Sequence, residues 1–293
     1  VKFRATLIGL MTILMWAFLA TLTAASGRMP PFQLTAIGFG LGSLPGLALM
    51  VAQPARFKAL RQPFKVWLVG IGGLFGYHLL YFTALRSAPA VEATLVNYLW
   101  PLLIVVGSAL LPGERLGWHH LVGAAIGLAG TVLVVAGGNV AFNPAYLPGY
   151  GAALVAAVTW AAYSLLSRRF GAVPTDAVTG FCLATAILSA CCHLALETTV
   201  WPETSFQWVM VVALGLLPLG LAFYTWDFGV KNGDIQVLGA ASYATPILST
   251  LILLAAGYGE PGWRLVIACL LVTGGAILAS KDLLFRGRKL VDA

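Results

Sequence analysis

With 293 residues, 60% of them apolar and only 9% charged, and a mean hydropathy of +0.91, the chain is far from a soluble composition, in which about a quarter of residues are charged. It reads as an all-α integral membrane protein. The formal charge of +7 sits between the apolar runs and calls for no nucleic-acid partner, and no connecting stretch is long enough for a soluble domain.

A helix needs about 20 apolar residues to cross a hydrocarbon core of about 30 Å, and that ruler predicts ten transmembrane helices: 5–25, 32–52, 66–86, 90–111, 118–137, 148–168, 175–196, 206–230, 234–257 and 262–281. The first ends on Thr23-Ala24-Ala25, which could pass for a signal-peptidase site. Trp16 has a repeat counterpart in Trp160, so the segment is expected to be a retained helix, and the opening on Val1 suggests a trimmed start. In the third, Gly70, Gly73 and Tyr77 lie at helical spacing, and the two glycines serve either close packing or a hinge. The fourth contains Asn97-Tyr98-Leu99-Trp100-Pro101 and the ninth Ser242-Tyr243-Ala244-Thr245-Pro246. Proline removes a backbone donor and clashes with the preceding turn, so bends are expected at Pro101 and Pro246. Gly123, Gly127 and Gly130 form a small-residue stripe in the fifth. Cys182, Cys191, Cys192 and Cys269 lie inside apolar runs without metal-type spacing, so they read as packing residues, and no metal or other cofactor is expected.

The two proline sites are about 145 residues apart, and the same shift carries Tyr81 onto Trp226, Arg86 onto Lys231, Gly117-Trp118 onto Gly262-Trp263 and Gly130 onto Gly275. Trp16-Ala17 and Gly27 fall similarly on Trp160-Ala161 and Gly171. We read an internal duplication, with units at 1–140 and 141–293 forming one membrane domain. Of the 17 lysines and arginines, all but Arg28, Arg86 and Arg264 fall on one side, which puts both termini in the cytoplasm. Five crossings per unit make the copies inverted, the architecture of alternating-access transporters with a substrate site at mid-depth.

Tyr and Trp ordinarily mark the membrane interfaces, yet here many fall near mid-span. Tyr77, His78 and Tyr81 share one level of the third helix; Asn97, Tyr98 and Trp100 precede the first bend; Trp16 and Trp160 are equivalent; and Tyr163, Tyr224, Trp226 and Tyr243 come from the second unit. Buried phenols and indoles need hydrogen-bond partners, so the cluster implies a polar network or a wet cavity. Asn97 and Ser242 supply uncharged contacts to a carboxylate or an ammonium, or simply bond neighbouring helices. No Lys, Arg, Asp or Glu lies at mid-depth, which disfavours a phosphorylated substrate and makes transport down a gradient the simpler expectation. His78 is the one mid-depth group able to titrate near neutral pH. Arg86 and Glu92 bracket one turn, and Asp227 and Lys231 lie at the matching turn of the second copy; these are candidate gates or solvated turn charges.

Leu110-Leu111-Pro112-Gly113-Glu114-Arg115-Leu116 with Gly123, Gly127 and Gly130 resembles the EamA-type repeat of the drug/metabolite transporter superfamily, and Tyr258-Gly259-Glu260 through Gly275 resembles its second copy, with Ala268 in place of a glycine. The run from Val91-Glu92 to Pro101 resembles the aromatic amino-acid exporter branch. The resemblance implies a ten-helix exporter of the bacterial inner membrane for aromatic and other neutral amino acids. It also implies a substrate site at Trp16, Tyr77, Tyr81, Tyr98, Trp100, Trp160, Ser242 and Tyr243. Export of a drug or a purine is an alternative that the same rings would serve. A membrane-embedded enzyme is disfavoured, because no HExxH, GxSxG or carboxylate-rich motif is present.

Overall fold

A computed structural model describes residues 2–136, 143–255 and 262–282. All regular structure among the described residues is helical. The first long helix, Lys2–Ala25, consists of α1 (Lys2–Ala17) and α2 (Leu19–Ala25), and α3 (Pro31–Ala52) follows. Phe64–Ser87 is α4 (Phe64–Ile71), a π-helical turn over Gly72–Gly76, and α5 (Tyr77–Ser87). Ala90–Leu110 contains α6 (Ala90–Asn97) and α7 (Trp100–Gly107). Next come α8 (Trp118–Val135), α9 (Leu147–Arg169) and α10 (Ala177–Leu196). Ser205–Asn232 contains α11 (Ser205–Leu216), a second π-helical turn over Leu217–Leu221, and α12 (Ala222–Asn232). These 8 segments are long and apolar enough to cross a membrane. A further pair, α13 (Ile235–Ala241) and α14 (Ala244–Ala255), is bent by 40°, and α15 (Trp263–Ala279) is a shorter apolar helix. The expected ends at 137 and 257, the junction at 140/141 and the Tyr258-Gly259-Glu260 run lie outside the described residues.

Both proline sites interrupt a helix. Pro101 offers no N–H to Asn97, and the break at Tyr98 and Leu99 separates α6 from α7. The break at Ser242 and Tyr243 separates α13 from α14 ahead of Pro246. The breaks touch: the Leu102 N–H donates to Tyr243 Oη at 3.2 Å. The π-helical turns were not foreseen. One falls on a run with three glycines, the other on Leu217-Pro218, where proline again withholds a donor. They are spaced like the breaks, about 145 residues apart.

The helices pack as antiparallel pairs through small residues. In α8 and α15, Gly123 meets Gly275 while Gly130 meets Ala268 and Val272; a Cβ on Gly123 would lie 2.5 Å from the Gly275 oxygen, and one on Gly275 2.5 Å from the Gly123 oxygen. In α1 and α12, a Cβ on Gly229 would lie 2.6 Å from Gly9 Cα. Along α3 and α10, Gly46 meets Thr179 near one end and Gly40 meets Ala186 further along. Only glycine permits backbones this close. The remaining faces carry exposed Leu14, Leu188, Val266, Leu270 and Ile277, as a lipid-facing surface requires.

Ion pairs gather on the face that carries Lys2. Lys2 Nζ lies 3.0 Å from Asp234, Arg56 2.9 Å from Asp176, and Lys231 2.8 Å from Asp227, while Arg168 bonds Glu114. On the far face, Glu197 accepts from Arg86 at 3.0 Å, from the N–H groups of Phe32 and Gln33 at the start of α3, and pairs with His193.

Candidate functional site

A cavity of about 680 Å³ opens between the two halves of the chain. Trp16, Leu19 and Thr23 line it from the first long helix, and Tyr77, His78 and Tyr81 from α5. Thr94, Asn97, Tyr98 and Trp100 come from the interrupted fourth segment and Trp160 from α9. Leu219, Phe223, Thr245, Pro246 and Ser249 complete the wall from the second half. Lining residues reach Thr23, Leu85 and Val135, near the ends of their segments on the far face, so the space runs from mid-depth away from Lys2.

Its floor is a cluster of indoles. Trp16 lies 5.6 Å from Trp160, 6.2 Å from Trp100 and 5.3 Å from Trp226, measured between ring centroids. Edge-to-face and tilted contacts of this kind set positive ring edges against negative faces and fix each ring. Trp226 seals the floor from below: it is fully buried, and its Nε1 donates to Ser164 Oγ at 3.0 Å. Trp16 Nε1 donates at 3.2 Å to the Pro218 carbonyl inside the second π-helical turn, so the backbone irregularity directly anchors a floor residue. On the side wall Tyr77 and Tyr81 stack at 5.9 Å. Tyr81 Oη and Thr94 Oγ1 are 2.9 Å apart, Asn97 Nδ2 donates to Tyr77 Oη at 3.0 Å, and His78 Nδ1 donates to the Leu74 carbonyl at 2.7 Å.

Eight of the substrate-site candidates thus meet at one cavity: Trp16, Tyr77, His78, Tyr81, Asn97, Tyr98, Trp100 and Trp160. Four do not reach it. Ser242 is fully buried with Oγ donating to its own helix at Leu238, and the Tyr243 ring lies against Gly127 of α8. The second break faces α7 and α8, so its polar residues serve helix packing in this state. Tyr163 lies against Gly73, and Tyr224 Oη donates to Thr179 Oγ1 at 3.1 Å. Gly70 and Gly73 make room for the rings of Phe181 and Tyr163, which is the packing use of those glycines.

Of the candidate gate residues, Asp227 and Lys231 pair directly, reinforced by Thr175 Oγ1 and the Val173 carbonyl. Arg86 turns away from Glu92 and pairs with Glu197, while Glu92 Oε2 has no hydrogen-bond partner among the described residues. Sequence reasoning missed Glu197, Arg168 with Glu114, and the wall residues Leu219, Phe223 and Thr245. The spacing of His193 and Glu197, one helical turn apart, was the one local signal.

Among the described residues, no Asp, Glu, Lys or Arg borders the cavity. A possible metal group lies elsewhere, where His119, His120 and Asp282 bring ligand atoms within 4.8 Å. The Gly117 N–H donates to His120 Nδ1 at 3.0 Å, so the proton sits on Nε2 and neither ring nitrogen is free to ligate.

The model of the EamA-like transporter family matches residues 3–136 and again 147–281. The chain is 55% identical over 278 residues to the aromatic amino acid exporter YddG of Ancylobacter novellus, covering 94% of this chain and 96% of that protein. It is 30% identical over 294 residues to the aromatic amino acid exporter YddG of Escherichia coli K12, covering 94% and 96%. A crystal structure 54% identical in sequence superposes with a TM-score of 0.91, over 96% of this chain and 98% of that one.

Proposed function

The chain belongs to the EamA-like transporter family, and from that premise we propose that it exports aromatic and other neutral amino acids across the bacterial inner membrane. It is a multi-pass membrane transporter. The observation that carries the substrate reading is the cavity itself, about 680 Å³ walled by indoles, phenols, the Asn97 amide and the His78 imidazole, with no Asp, Glu, Lys or Arg among the described residues. Aromatic faces suit an apolar or aromatic side chain, and neutral polar groups suit a ligand of zero net charge, because a net charge would be desolvated without a counter-charge.

In this reading the protein crosses the membrane ten times as two inverted units, 1–140 and 141–293, with both termini cytoplasmic. Support comes from the doubled family match, from the like spacing of π-helical turns and breaks, and from reciprocal contacts. Gly123 meets Gly275, the repeat counterpart of Gly130, and Gly130 meets Ala268, the counterpart of Gly123. The cavity is then open to the outside and closed to the cytoplasm by Asp227–Lys231 and Arg168–Glu114. The breaks before Pro101 and Pro246 are the hinges of alternating access.

Counterflow in proteoliposomes tests the substrate. Internal phenylalanine or tryptophan should drive uptake of labelled phenylalanine, while biotin and adenine should not. Exchange of biotin or adenine without exchange of amino acids would refute the assignment.

A further inference from the structure

The cavity wall carries polar atoms that no group among the described residues satisfies, and they separate into acceptors and donors. Asn97 is only 4% exposed. Its Nδ2 is spent on Tyr77 Oη, and Oδ1 is left buried with no hydrogen-bond partner among the described residues. At His78, the Leu74 carbonyl can only accept, so Nδ1 carries the proton and Nε2 of the neutral ring is a second acceptor. It too lacks a partner among the described residues.

An indole nitrogen can only donate. Those of Trp16 and Trp226 are taken by Pro218 and Ser164. Those of Trp100 and Trp160, both bordering the cavity, make no hydrogen bond among the described residues and are not sealed off from the cavity. The two ring centroids stand 6.2 Å apart with the planes nearly perpendicular, and both side chains border the cavity. Tyr77 borders both sets. It is bonded to Asn97, and its ring is 5.2 Å from His78 and 5.5 Å from Trp160, so both sets meet at this one side chain. Buried polar atoms left unpaired are rare in folded proteins and mark places where a ligand or water completes the bonding.

We propose that the wall reads an α-amino acid by two uncharged poles: Asn97 Oδ1 with His78 Nε2 receives the ammonium, and the indole N–H groups of Trp100 and Trp160 receive the carboxylate. This rests on the amino-acid reading above and goes beyond it by assigning each end of the headgroup. Recognition by neutral groups makes net charge the selected property. A zwitterion satisfies both poles and brings no uncompensated charge into the protein, whereas an amine or a carboxylate alone leaves one pole unpaired and its own charge unopposed. The Thr245 hydroxyl, also unpartnered on the wall, can serve either sign.

The test uses the full-length protein in nanodiscs, with calorimetric affinities for three ligands sharing one ring: L-phenylalanine, phenethylamine without the carboxylate, and 3-phenylpropionate without the ammonium. Asn97→Leu should weaken L-phenylalanine and phenethylamine about 10- to 100-fold, the value of a charge-assisted hydrogen bond, and leave 3-phenylpropionate within about threefold. Trp160→Phe, which keeps a ring in place, should weaken L-phenylalanine and 3-phenylpropionate and spare phenethylamine. Equal weakening of all three ligands by either variant, unchanged affinities, or a reversed pattern would overturn the assignment while leaving the amino-acid reading intact. Wild-type protein that binds none of the three would overturn both.

Discussion

Arg168 is the side chain whose loss should most readily open the Lys2 face. Its Nη1 donates to the carbonyls of Val230 at 3.0 Å, Lys231 at 3.0 Å and Gly233 at 2.9 Å, and its Nη2 donates to Glu114. One guanidinium thereby ties α9 to the end of α12 and to the turn before α8. Removing one partner of a fully buried pair costs about 3–5 kcal/mol. The Arg168 side chain is 19% exposed, and Lys2 Nζ, 3.9 Å from Glu114, takes up part of the freed charge. We therefore expect Arg168→Gln to destabilise the closed arrangement by about 2–3 kcal/mol, a shift of roughly 30- to 160-fold in the ratio of closed to open molecules. In a background lacking the native cysteines, Ser167→Cys, buried next to Arg168, reports opening through its reaction with a membrane-impermeant maleimide applied to the Lys2 face. Labelling should accelerate by about that factor, while Thr23→Cys, lining the cavity, should react more slowly from the far face. Unchanged rates at both positions in protein that still elutes as a single species would refute the closing role of this pair. Glu114→Gln, which spares the carbonyl contacts, should give the same pattern at smaller amplitude.

Tyr243→Phe leaves the Leu102 N–H without its acceptor at a cost of about 1–3 kcal/mol. The maximal counterflow rate should change with little effect on ligand affinity, because Tyr243 does not border the cavity. Gly123→Val forces side-chain atoms against the Gly275 carbonyl and should destabilise the protein by about 1–3 kcal/mol or more, read as a lowered melting temperature in detergent; Gly72→Ala, with open space at its Cβ, should be far milder. His78→Gln replaces the Nε2 acceptor on the cavity wall and should raise the half-saturating phenylalanine concentration for counterflow without a proton gradient, whereas loss confined to pH-driven uptake would make His78 a proton carrier. Ser242→Cys, fully buried in this state, should be inert to maleimide in the wild-type background and become reactive from the Lys2 face when combined with Arg168→Gln.

Much of the architecture is readable one segment at a time. The apolar runs placed the described helices within a few residues of their observed ends, and the two prolines marked both breaks, because span length and a missing backbone donor are local properties. Mid-span depth also brought eight of the site candidates to a single cavity. The partner of Arg86 was not legible: Glu197 lies far along the chain, and only folding brings α5, α10 and the start of α3 together. The π-helical turns were equally hidden, since neither the glycine run nor Leu217-Pro218 specifies one extra residue per turn without the packing around it. The inclusion of Ser242 and Tyr243 came from treating repeat-related positions as equivalent in their surroundings, and that of Tyr163 and Tyr224 from reading depth along the helix without the direction each ring faces.

If the two units are related as proposed, their surroundings have to differ while a cavity is open on one face alone. At the first break, Asn97 turns its side chain to Tyr77 and the cavity; at the second, Ser242 turns its hydroxyl back to Leu238 and the Tyr243 ring fills the space beside Gly127. The same sequence device, a polar residue and a tyrosine ahead of a proline, is thus present in a cavity-facing and a packed form within one molecule. If the units exchange conformations, the packed form becomes the cavity-facing one. Three ties then have to change together: the Leu102 N–H must leave Tyr243 Oη, Arg168 must release Glu114, and the Lys231–Asp227 pair must part. Each is a hydrogen bond or ion pair that water or another partner can replace, and the buried Lys231–Asp227 pair parts only where both charges are rehydrated. The α8–α15 seam is held by close backbone approach at Gly123 and Gly275, and along α3–α10 Gly46 makes room for the Thr179 side chain; these packing contacts offer no such exchange. Motion is therefore expected in the interrupted helices around the cavity, with those two seams as the fixed frame.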